Sequence, residues 1–122
     1  MALSSPAKGQ LWSYVVTSEF GNVYYIDQLS IKRYEGVVTY TQLTNYPKNK
    51  VLNKKDLQSI VQYKANDCKA NRFHVSSLIG YDKESAKGSI VIIEMKKEEK
   101  WLNINPHKIT DIIHQEVCSY KY

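Results

Sequence analysis

From Trp12 onward the apolar positions come in short runs of alternating spacing, the period of strands buried on one face. Trp12, Tyr14 and Val16 alternate with Ser13, Val15 and Thr17, which predicts a first strand beginning near Leu11. A turn at Ser18-Glu19-Phe20-Gly21-Asn22 leads to Val23–Asp27, antiparallel to the first strand because the connection is short. Asp27 and Ser30 then flank a tight corner that turns Ile31 back into the core. Gly36 opens a third strand, Val37 to Leu43, with Val37, Thr39, Thr41 and Leu43 on one face and Val38 and Tyr40 on the other.

Strand character returns at Leu57 to Asn66 and, after a turn at Lys69-Ala70-Asn71, at Arg72 to Tyr81. Ser89 to Met95 is the most apolar run and is expected to be a central strand buried on both faces. The charged turn Lys96–Lys100 precedes a short strand at Trp101-Leu102-Asn103-Ile104. At Pro106 the period changes. Ile109, Ile112, Ile113 and Val117 recur at the spacing of one helical face, with Pro106 in the first turn, where its missing N–H costs nothing. His114 is expected on the solvent side of that helix. Strands joined by short turns and followed by one helix predict an α+β domain: an antiparallel sheet of six to seven strands with the C-terminal helix packed on one face.

The 122 residues suffice for one domain with a real core, read as 11–122, and residues 1–10 have the composition of a flexible tether or an expression remnant. The opening residues have neither the basic n-region nor the apolar h-region of a secretory signal. If the protein is exported, that signal has been removed. The two cysteines, Cys68 and Cys118, match no metal site and leave two readings: an oxidised pair pinning the helix to the sheet, or two buried thiols of a reducing compartment.

The net charge of +5 suits an anionic partner without selecting one. Its densest stretch is the basic loop 46–56, expected to be mobile, with Lys48, Lys50, Lys54 and Lys55. Gln62, Tyr63, Lys64, Lys69 and Arg72 follow it, aromatic and cationic by turns, and together these nine residues form the candidate partner-binding set. Ten tyrosines suit a recognition surface, and also half-buried strands. His74, His107 and His114 have no Cys or Ser partner at motif spacing, and there is no phosphate loop, His-Glu-x-x-His motif or nucleophile elbow. No catalytic residue, metal site or cofactor is expected.

Trp12, Tyr24-Tyr25-Ile26-Asp27 with Ser30-Ile31, Leu43-Thr44-Asn45-Tyr46, Ser59 with Gln62-Tyr63-Lys64, Asp67-Cys68 with Arg72-Phe73, Tyr81, Gly88, Trp101 to Pro106 and Cys118 occur in an order that resembles the surface-adhesin protein E family of Gram-negative bacteria. The resemblance spans residues 11–120. It implies an exported or lipid-anchored protein of the periplasm or cell surface, and a curved antiparallel sheet with its helix tethered by a Cys68–Cys118 disulfide. For the namesake adhesins it implies a dimer that binds matrix and plasma proteins such as vitronectin and laminin near the first cysteine strand. Here that region includes Lys54, Lys55, Gln62, Tyr63, Lys64, Lys69 and Arg72. The chain departs from the family in its basic loop and in the Pro106-His107-Lys108 approach to the helix. The expected function is an adhesin-like envelope binding protein. A periplasmic assembly component acting by protein contact is the alternative, and a single-strand nucleic-acid binder is disfavoured by the family. Membrane association is expected only through a removed signal or anchor.

Overall fold

The structure is a computed structural model that describes residues 10–47, 51–52 and 55–120, with backbone alone for 51, 52 and 55. Among the described residues the strands and the α-helix follow in order: β1 (Trp12–Thr17), β2 (Val23–Asp27), β3 (Lys32–Tyr34), β4 (Val37–Asn45), β5 (Val51–Leu52), β6 (Lys55–Asp56), β7 (Ser59–Asp67), β8 (Arg72–Lys83), β9 (Lys87–Met95), β10 (Leu102–Asn103) and α1 (Ile109–Ser119). Eight strands form one antiparallel sheet of order β1-β2-β4-β7-β8-β10, with β3 added on β4 and β9 on β8. β5 and β6 pair with each other as a separate two-stranded sheet, within the stretch expected to be a loop.

Local chemistry explains the corners. Asp27 accepts hydrogen bonds from the backbone N–H groups of Leu11 and Leu29, while the Ser30 hydroxyl donates to the Asp27 carbonyl. These bonds close a 3₁₀ turn over Gln28–Ser30 and deliver Ile31 to the core. The β3–β4 turn needs positive φ at Glu35 and Gly36, the requirement that makes glycine favourable there.

Opposed residues of neighbouring strands share a face, so the register sorts the side chains. Val38, Tyr40, Gln42, Gln62, Lys64, Asn66 and Phe73 point to the helix side; Thr39, Thr41, Tyr63, Ala65, Arg72 and His74 point to the other. The core lies under the helix, where Ile113 and Val117 close on Ile26, Ile31, Val38 and Tyr40, with Val15, Tyr24 and Ile109 around them. At the end of β7 the Cys68–Cys118 disulfide ties the last helical turn to the sheet. Arg33 Nη2 donates to the carbonyls of Cys118 and Tyr120, supplying partners and positive charge at the helix C-terminus.

Three expectations are corrected. The apolar run of β9 is not central. Among the described residues it pairs with β8 alone and leaves Ile90, Ile93 and Met95 exposed, whereas β4 and β7 occupy the middle of the sheet. The helix starts at Ile109 instead of Pro106, because His107 takes a left-handed φ of 65° and its N–H is held by the Asp111 carboxylate, which reaches back as in a capping box. The buried helix face is also turned from the expected one: Ile112 is 42% exposed, and His114 lies inside beside Ile113 and Val117.

Candidate functional site

The register divides the nine sequence-derived binding residues. Lys48, Lys50 and Lys54 lie outside the described residues, and Lys55 is described only as backbone in β6. Gln62 and Lys64 project to the helix side, Tyr63 and Arg72 to the opposite side, and Lys69 lies exposed in the β7–β8 turn. Adjacent positions on a strand point to opposite faces, so Tyr63 and Lys64 cannot act as one contact.

On the helix-free side, Tyr63 is 42% exposed beside a shallow depression of about 380 Å³ that Leu29, Lys32, Thr41, His74 and Ser76 help to line. Next to it the Arg72 guanidinium lies over the Trp101 ring at 4.7 Å, and His74 meets the same indole edge-on at 4.6 Å. Glu99 joins this group, accepting from the Trp101 Nε1–H at 3.1 Å and approaching His74 Nε2 at 3.5 Å. Arg72 also donates to Asp67 at 3.2 Å. The cation is thereby held in place and left partly exposed. Trp101 and Glu99 were not singled out from the sequence as binding residues. The signal available was an indole followed closely by a strand that pairs with β8.

On the helix side, Lys64 is only 7% exposed and is therefore not a surface contact. Its ammonium donates to Gln42 Oε1 at 2.9 Å, Gln42 Nε2 donates to Gln62 Oε1 at 3.2 Å, and the Phe73 ring lies 4.9 Å from Nζ. Burial pushes this amine down to about 7.

A second polar line runs beneath the disulfide. The Tyr40 hydroxyl donates to Asn66 Oδ1 at 2.7 Å, Asn66 Nδ2 donates to His114 Nδ1 at 2.8 Å, and His114 Nε2 pairs with Asn71 Oδ1 at 3.2 Å. This assignment needs neutral His114 with its proton on Nε2; a second proton on Nδ1 would face the Asn66 amide donor. His114, 2% exposed, is a core residue whose polar atoms are satisfied, which corrects the surface placement. Desolvation lowers its pKa and Lys64 adds to the effect, against the opposing pull of Asp111 and Asp67.

Because His114 has its folded-state pKa below the ordinary value of 6.5, the unfolded chain binds more protons in the interval between the two values. Stability from neutral His114 is therefore complete above 6.5 and declines as pH falls from there to the folded-state value. Denaturation midpoints measured across that interval should fall for the parent protein and lose that slope in His114→Gln. His114→Ala should cost about 1 to 3 kcal/mol, since Asn66 and Asn71 would each lose a partner.

Among the described residues no group of three His, Cys, Asp or Glu side chains could hold a metal, and no helix is long and apolar enough to cross a membrane. No curated protein matches the sequence significantly. Protein E of Haemophilus influenzae has the same fold: two crystal forms align at 23% identity with TM-scores of 0.62 and 0.63, over 86% of this chain and 83% and 86% of those chains. Protein E from a non-typeable strain aligns at 19% identity with a TM-score of 0.56, over 86% of this chain and 74% of that one. The surface-adhesin protein E family model matches residues 12–119. With nearly all of the strand-and-helix domain matched, this chain belongs to the surface-adhesin protein E family.

Proposed function

We propose that the protein is an exported, non-enzymatic binding protein of the cell envelope that engages an extracellular protein through the helix-free face of its sheet. The carrying observation is the row Thr41, Tyr63, Ser77, Met95, which crosses that face on four adjacent strands and leaves Tyr63 and Met95 exposed. An aromatic anchor surrounded by small polar residues, with the Arg72–Trp101 stack alongside, has the composition of a recognition patch. The basic residues Lys32, Lys69 and Arg72 would steer an acidic partner toward it. Lys48, Lys50, Lys54 and Lys55 add charge from a stretch close in sequence.

Immobilised vitronectin, laminin and other matrix or plasma proteins provide the test. Tyr63→Ala should raise the off-rate by roughly thirtyfold, the equivalent of about 2 kcal/mol for a central anchor, with an unchanged melting temperature. The quadruple Lys→Gln variant at 48, 50, 54 and 55 should lower the on-rate and weaken its salt dependence. Binding to every ligand at parental rates in both variants would remove the support for this surface.

The exposed edge strand β9 favours a second reading, an envelope assembly component that adds a strand from a partner. Main-chain pairing there should be nearly insensitive to salt and should be lost in Ile92→Pro, whereas Tyr63→Ala should leave it intact.

A further inference from the structure

The helix side of the sheet holds a cleft of about 280 Å³ where the start of α1 meets β2, β4, β7 and β8. Tyr24, Tyr46, Ile60, Phe73, Ile109 and Ile113 give it apolar walls, and Gln42, Gln62, Thr44, Thr110 and Lys64 supply its polar atoms. Among the described residues no Asp or Glu lines it. We propose that this cleft binds a small monocarboxylate with an apolar body, its carboxylate seated on the Lys64 ammonium.

Lys64 has an incomplete set of hydrogen-bond partners. A lysine ammonium carries three donors, and Lys64 spends one on Gln42 Oε1. Among the described residues no carboxylate lies within 4.0 Å of it, although the side chain is over nine-tenths buried. Burying a cation without a counter-ion is costly, and a carboxylate would return both the missing charge and acceptors for the unused donors. The Gln42–Gln62 bond uses the Gln62 carbonyl and leaves the Gln62 Nε2 amide available to the second carboxylate oxygen. Ile109 and Thr110, the first two residues of an eleven-residue helix, bring the positive end of its dipole to the same wall.

Size and lining then restrict the ligand. The volume lies just below the usual range for small-molecule sites, which favours an acid of aromatic-ring or short-chain dimensions. Three aromatic rings and three isoleucines leave no place for a second charge. The depressed pKa of Lys64 agrees with a site that lacks its anion and would rise when the anion binds. This site is on the opposite face from Tyr63 and does not rest on the adhesion reading.

Benzoate and hexanoate are suitable probes, with benzyl alcohol and benzylamine as neutral and cationic controls. Titration of the folded, disulfide-bonded protein, followed by amide ¹H–¹⁵N spectra, should shift Lys64, Phe73, Ile109 and Thr110 with benzoate and leave them in place with both controls. Lys64→Met should weaken benzoate at least tenfold, and Gln62→Leu should weaken it severalfold in a fold certified by the same spectra. Equal response to benzoate and benzyl alcohol, or parental benzoate affinity in Lys64→Met, would overturn the proposal. If Lys64→Met does not fold, parental affinity in Gln62→Leu together with shifts scattered away from the cleft would overturn it instead. Absence of any benzoate-induced shift at Lys64, Phe73, Ile109 and Thr110 would also overturn the cleft as a carboxylate site, whether or not an acidic protein segment binds at the Tyr63 face.

Discussion

Reduction of Cys68–Cys118 should lower the melting temperature by roughly 10 to 20 °C and release the helix before the sheet. The two sulfurs close a loop with a sequence separation of 50. The chain-entropy relation assigns a loop of that length about 4 kcal/mol at 25 °C, a large share of an ordinary domain's stability. The helix is the element most exposed to the loss. Eleven residues cannot hold a helix in water unaided, so its persistence depends on docking at Ile113, His114 and Val117 and on the covalent tie at its last turn. Thiol titration of the denatured, unreduced chain should find no reactive sulfur. Scanning calorimetry with and without reductant, alongside Cys68→Ser/Cys118→Ser, should give matching shifts; a change of under about 3 °C would show that helix packing suffices without the bond.

The fold was legible where local chemistry decides it. Alternation revealed β1, β2, β4, β7 and β8, and the Asp27–Ser30 corner was marked by two residues that bond their own backbone. The placement of β9 was not legible. Its apolar run looks the same in a central strand and at an edge, and position in the sheet is fixed by pairings between residues far apart in sequence. The centre went instead to β4 and β7, which bury Gln42, Thr44, Ser59 and Asn66, polar side chains that hydropathy counts against burial. Ser59 shows why that is affordable: its hydroxyl donates to the Lys83 carbonyl at 2.6 Å and accepts from the Ala86 N–H at 3.0 Å.

The candidate site was less legible for the same reason. Charge and polarity on average predict exposure for Lys64 and His114, yet each is buried with a specific partner, Lys64 with Gln42 on the neighbouring strand and the helix residue His114 with Asn66 of the sheet. Gln42, Asn66 and Asn71 are distant from those residues in sequence, and no spacing rule connects them. The face of Tyr63, by contrast, followed from alternation once the β4–β7 register was known. Arg72 acquired its character from Trp101, nearly thirty positions away, through the short pairing of β10 with β8.

Ile113→Ala should destabilise the domain by about 3 to 5 kcal/mol, while Ile112→Ala should cost no more than about 1 kcal/mol. The two isoleucines are neighbours with equal hydropathy, and periodicity alone admits both to the apolar face. The structure separates them: Ile113 is 1% exposed and closes on Ile26, Val38 and Tyr40, whereas Ile112 is 42% exposed. Deleting the buried side chain removes its transfer free energy and leaves a cavity against a sheet that cannot collapse into it, since Tyr40 is held by its bond to Asn66. At Ile112 water already reaches the side chain and no cavity forms. Urea denaturation of the oxidised protein gives both values at a common slope. Equal losses at the two positions would mean that the helix sits on the sheet by the face its isoleucine spacing suggests, with His114 turned out and the Asn66–His114–Asn71 line broken.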